Sequence, residues 1–190
     1  MTRAWPVPPI RVDGPVAPSA RHILAVRIGE YYSHGPAVPF ADAVEPLHDM
    51  RISAKRLRYT LELFRDVFGE TGKAQIDRVK AIQEALGNLH DHDVRIALVE
   101  DELAGLLPGR GVDLFEVFAD SSEAELLDRV VRAESFASDD PRRGLIALLA
   151  RERIGRKRAY LSFRERWDRF EREGFRADLV RLSAMPLDEG

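Results

Sequence analysis

The chain has 190 residues, 45% of them apolar and 32% charged, enough for one domain with a core of its own. A net charge of −3 and a pI of about 6.0 set it apart from general duplex-nucleic-acid binders, which are basic over the whole domain. The absence of cysteine excludes disulfides and thiolate chemistry, and the sequence has neither an 18-residue apolar run nor a secretory leader pattern, so a membrane partner is not expected and the cytoplasm is the expected compartment.

Residues 1–18 hold five of the eleven prolines and predict an extended tail, ordered only if Trp5 or Ile10 packs against the rest. Ser19 is a suitable N-cap for a first helix with Leu24, Ile28 and Tyr31 on its inner line, ended by Gly35-Pro36. After a loop over 36–45, Pro46 suits the first turn of a second helix that runs to about Phe68 and stops at Gly69. A third helix is expected from Thr71 to Leu107, with Ile76, Val79, Gln83, Leu86, Leu89 or His90, Val94 and Leu98 facing inward. A shorter helix over Leu114–Ala133, broken near Asp120-Ser121-Ser122, leads to a polar loop at 135–141. Asp139 or Asp140 is placed to cap a long helix from Pro141 to about Glu173. Gly174 interrupts it, and a last helix spans Ala177–Met185. With only three threonines and no long alternating run, strands are not expected. The fold class is all-α: an antiparallel helical bundle of four long helices plus short extra ones, with one helical domain over 19–185 after the tail.

The second helix carries the most informative pattern. Met50, Ala54, Leu57, Leu61, Phe64 and Phe68 form an apolar stripe, and His48, Arg51, Lys55 and Arg58 a second stripe about 120° round the helix. A solvated face usually mixes charge signs. Here only Glu62 joins the cations, which points to a multivalent anion. The third helix holds Lys80, Gln83, Gly87 and His90 on one line. Gly87 costs about 1 kcal/mol against Ala in mid-helix, a cost explained by close approach of a neighbouring helix or a ligand. Asp91 and Asp93 are placed to pair with arginines of the second helix.

These two runs resemble the CHAD family, α-helical domains named for conserved histidines. The resemblance rests on His48, Arg51, Lys55, Arg56, Arg58 and Tyr59, followed by Gln83, Leu86, Gly87, His90, Asp91, Asp93 and Val94. It implies a helical bundle without established catalysis that binds inorganic polyphosphate in a basic cavity, and an association with triphosphate tunnel enzymes or polyphosphate granules. Members usually carry two four-helix halves. One motif set in this chain implies a CHAD-like half, with either an open groove or a homodimer that closes the cavity.

On this basis the expected polyphosphate-binding residues are His48, Arg51, Lys55, Arg58, Lys80, His90, Arg153 and Arg156. Asp91, Asp93, Gln83 and Tyr59 are expected to orient them. No catalytic residue, metal ligand or cofactor is expected. The physics suits the ligand: Arg offers a planar fork for two phosphate oxygens and Lys a compact charge. Competing readings stand beside each feature. The stripe alone is equally a solvated face with pairs such as Arg58–Glu62. Arg153 and Arg156, on the apolar side of the long helix with Leu145, Leu149, Tyr160, Phe163, Trp167 and Phe170, either line the far wall of the cavity or are held by acids. Asp91, Asp93 and Glu152 are the partners open to Arg156. Lys157, Arg164 and Arg27 are weaker candidates for the cavity, and His92 is expected on the surface. The His-Asp doublets at 48–49 and 90–91 leave a metal-dependent phosphohydrolase as the alternative. An RNA or nucleotide partner is the weakest reading, because stacking aromatics interleaved with basic residues are missing.

Overall fold

A computed structural model describes residues 3–7, 9, 14–106, 122, 124–126, 128 and 141–184. Every regular element among them is helical, as the sequence predicts, and none of the described helices is long and apolar enough to cross a membrane. In chain order these are α1 (Val16–Tyr32), a 3-10 turn (Gly35–Ala37), α2 (Val44–Leu63), α3 (Arg65–Leu106), α4 (Pro141–Arg172) and α5 (Phe175–Ala184).

Several boundaries move from their expected places. α1 begins at Val16, three residues before the start expected at Ser19, and no side chain caps it. Pro15 precedes the helix, and Pro18 fits inside its first turn because the N–H it lacks has no intrahelical acceptor there. α2 ends at Leu63 rather than Phe68, since Phe64 leaves helical geometry, and a short helical stretch follows before Gly69. Gly69 has φ +56° and ψ −151°, a conformation that side chains resist, so α3 is broken there, where the sequence placed the stop. Gly174, at φ +81°, separates α4 from α5 in the same way. The helix expected over 114–133 and the loop at 135–140 lie outside the described residues, except for 122, 124–126 and 128, of which 124–126 and 128 are helical. Ser122 and Glu125 there exchange hydrogen bonds: the Ser122 N–H donates to Glu125 Oε2 at 2.6 Å, and the Glu125 N–H donates to Ser122 Oγ at 3.3 Å. Leu107 and Met185, the expected ends of two helices, also lie outside the described residues.

The chain gathers into two compact units. The first comprises Met1–Gly87 with Ser162–Gly190, the second Asn88–Leu161. In the first, α1 packs along α2 and α5. Its core holds Leu24, Ile28 and Tyr31 of α1, Leu47, Met50, Leu57 and Leu61 of α2, and Phe175, Leu179 and Leu182 of α5. Val79, Ile82 and Leu86 from α3 and Phe163 from α4 are buried as well. The second unit has its own apolar cluster of Val99, Leu103, Leu126, Ile146, Leu149, Ala150 and Ile154.

The inner line of α3 departs from expectation. Val94 and Leu98 are 44% and 62% exposed, while Leu89, Val99 and Leu103 are buried. The buried positions alternate steps of three and four residues and so stay on one face. The expected path through positions 86, 90, 94 and 98 takes only steps of four, which rotate by about 40° each and leave the core. The line expected on α4 holds: Leu149, Tyr160, Phe163 and Phe170 are buried, with Leu145 and Trp167 partly so.

Candidate functional site

α2 turns its two stripes as the sequence pattern requires. Met50, Ala54, Leu57 and Leu61 are fully buried, and around the helix from them Lys55 is exposed while His48, Arg51 and Arg58 are half-buried. Arg58 sits 3.5 Å from Glu62 of the next turn, the pair the sequence anticipated. Tyr59 is 48% exposed, with the Arg58 guanidinium 4.9 Å and the Lys55 ammonium 5.7 Å from its ring centroid. The ring thus steadies two long cationic side chains through its quadrupole.

Arg51 packs close to Gly87, at a spacing that a side chain there would meet as ordinary van der Waals contact. A Cβ at Gly87 would lie 3.7 Å from Arg51 Nε, so the guanidinium stem rests on the bare backbone of α3. Arg51 and Gly87 stand eighteen residues either side of Gly69, the point of chain reversal. Extended along two regular antiparallel helices, that register would set Lys55 opposite Gln83 and Arg58 opposite Lys80. Arg51 Nε is shielded from solvent without a hydrogen-bond partner, as is Gln83 Oε1, and Lys80 is exposed. Among the described residues, Arg51, Lys55 and Lys80 have no acidic partner. Arg58 Nε is likewise shielded and unbonded, beside its weak Glu62 contact. Of these four cations only Arg58 has a carboxylate within ion-pair distance among the described residues.

The other arginine of the motif points elsewhere. Arg56 binds Glu30, whose carboxylate is fully buried and also receives Arg27. This ionic triad locks α1 to α2 and occupies Arg27, one of the weaker cavity candidates. It also anchors the N-terminal segment: the Trp5 carbonyl accepts from Arg27 Nη2 at 2.9 Å, and the Trp5 N–H donates to Glu30 Oε1 at 3.4 Å. Trp5 packs against the rest of the unit, as the sequence allowed, while Ile10 lies outside the described residues. His34, half-buried beside this cluster, has its pKa lowered by burial and by Arg56, with Asp49 and Glu30 opposing.

The second unit holds the rest of the expected set. His90 is half-buried and Asp91 exposed. Asp93 accepts from Arg156 Nε, one of the three pairings the sequence left open, and Arg153 binds Glu100. Both arginines therefore already have a carboxylate within their own unit. His92, expected on the surface, is only partly exposed. Its Nδ1 lies 2.6 Å from Glu152, and its ring covers Gly155, where a Cβ would come within 2.4 Å of Cε1. Sequence reasoning missed this contact and the Glu30 triad, although glycines in mid-helix at 29 and 155 mark both places. Gly29 lies under the Trp5 ring and Gly155 under His92. Among the described residues no three His, Asp or Glu side chains are grouped as a metal ion would require.

The family model of the CHAD domain matches residues 2–100, which include both motifs and the whole α2–α3 face. The chain belongs to the CHAD domain family. No curated protein and no solved structure matches it.

Proposed function

We propose that the protein binds inorganic polyphosphate, without catalysis, through the face of α2 and α3 that carries Arg51, Lys55, Arg58 and Lys80, with Gln83 between them and His48 and Tyr59 at its edges. The observation that carries this reading is Arg51. Its guanidinium is half-buried, its Nε is shielded and unbonded, and no acid among the described residues neutralises it. A cation held in that state is stabilised when an anion arrives, because the desolvation is already in place and only the partner is missing. Membership in the CHAD domain family supports a polyphosphate-related role.

The residues divide by what they already hold. Arg153 and Arg156 each have a carboxylate, so a phosphate chain would have to displace Glu100 or Asp93 to use them fully. Arg51, Lys55 and Lys80 need no such exchange. The α2–α3 face offers hydrogen-bond donors and positive charge, which suits retention of a phosphate chain. Reversing the charge of both Arg51 and Arg58 to Glu tests the reading. Calorimetric titration with long-chain polyphosphate should then show at least a hundredfold weaker binding, since each charge-assisted hydrogen bond contributes about 1.5–3 kcal/mol. Unchanged affinity in that variant, with the fold intact by circular dichroism, would remove α2 as the site.

A further inference from the structure

A concave feature lies in the first unit, lined by none of the residues proposed for the α2–α3 face. It is an open cleft of about 690 Å³ between the N-terminal segment, the outer side of α1 and the last turn of α5. Its walls are Trp5, Pro6, Pro18 and Val26, and Arg21 and His22 stand among them. We propose that this cleft binds a small amphiphilic carboxylate, with a flat or branched apolar body against Trp5 and its charge at Arg21.

Three observations carry this. The first is shape and lining. Small-molecule sites are clefts of about 300–1,000 Å³, mostly apolar with a few polar groups that fix orientation. The second is Trp5. The inner face of its ring covers Gly29, where an added Cβ would come within 3.2 Å of Cζ3, and its main chain is pinned by Arg27 and Glu30. The ring is held in place yet remains 44% exposed, so it forms a preorganised aromatic wall rather than a mobile flap. The third is charge. α1 carries Arg21, His22 and Arg27 and no acid before Glu30, and Glu30 is committed to Arg27 and Arg56. Arg21 Nε is shielded from solvent without a hydrogen-bond partner, and no described acid pairs with Arg21. The nearby Ser183 hydroxyl is spent on the Val180 carbonyl at 2.8 Å. The cleft thus pairs an apolar surface with a guanidinium that no described acid neutralises, which selects an anion with an apolar body over a neutral or cationic one.

The test uses phenylacetate as probe, phenethylamine as the same body with a positive charge, and benzyl alcohol as the neutral analogue. Titration calorimetry on the unaltered chain should give saturable phenylacetate binding with Kd of about 1 mM or tighter, as expected for a ligand of this size. The fluorescence of Trp5 should shift along the same curve, read in a Trp167→Phe background where it is the single tryptophan. Phenethylamine should bind at least about tenfold more weakly, and Arg21→Gln should remove that difference. The Arg51→Glu/Arg58→Glu chain should bind phenylacetate as the unaltered chain does, which separates this site from the polyphosphate face. The proposal is overturned by the absence of saturation at about ten times that concentration, by equal binding of acid and amine, or by an Arg21→Gln chain that keeps full phenylacetate affinity. If the Trp167→Phe chain does not fold, calorimetry of the unaltered and Arg21→Gln chains decides alone.

Discussion

Single residues in this structure are fixed by what they touch, and two pairs make opposite predictions. Gly155→Ala should destabilise the second unit by about 1–3 kcal/mol, because the new methyl would enter the His92 ring. With His92→Ala already in place, the same change should stabilise by up to about 1 kcal/mol, since Ala is the better helix former. Urea denaturation of the four chains in that double-mutant cycle reads the reversal of sign. If Gly155→Ala costs the same in both backgrounds, the ring contact is not the cause. Tyr31 and Tyr32 form the second contrast. The buried Tyr31 hydroxyl has no hydrogen-bond partner, whereas the Tyr32 hydroxyl donates to Glu171 at 2.6 Å. Tyr31→Phe should be neutral or stabilising, and Tyr32→Phe should cost about 1.5–3 kcal/mol. Thermal melts of the two variants should therefore move apart.

Among the elements, α1 and α2 are joined through one buried carboxylate. Replacing Glu30 by Ala would remove the buried carboxylate that Arg27 and Arg56 share and should cost about 3–5 kcal/mol, measured as a loss in denaturation midpoint. His34 adds a pH dependence. Its pKa is lowered in the folded state, so its contribution is complete above the unfolded value of about 6.5 and is lost as pH falls through the folded value. The stability difference between the unaltered chain and His34→Gln should therefore shift against the unaltered chain between pH 7.5 and pH 5. A difference independent of pH would mean that His34 does not titrate at the cluster.

At this same scale the sequence was most legible. Gly69 and Gly174 announced their breaks because few residues take a positive φ, and the apolar stripe of α2 announced its inner face. The line through Val94 and Leu98 misled because steps of four drift off the core by about 40° each. The Glu30 triad was hidden, since an acid on α1 gives no local sign of the arginine it will meet on another helix. His92 was misplaced for the same reason: its partners, Glu152 and Gly155, lie about 60 residues further on.

For the molecule as a whole, the balance of −3 conceals a local concentration of cations on one face of the first unit. Binding there should weaken steeply with salt, by analogy with counterion release from nucleic acids, so affinities measured across a salt series should fall linearly on logarithmic axes. The family resemblance read from residues 48–94 agrees with the family match over 2–100. The division of labour within the expected set was not legible, because only the three-dimensional structure shows which arginines already hold an acid.

That division supplies the most direct test. Long-chain polyphosphate should be titrated calorimetrically into three chains of equal fold: unaltered, Arg51→Gln, and Arg153→Gln. At least about a tenfold loss is expected for Arg51→Gln and a much smaller change for Arg153→Gln, whose guanidinium is held by Glu100. Full affinity in the Arg51→Gln chain, or a larger loss at Arg153 than at Arg51, would contradict that division.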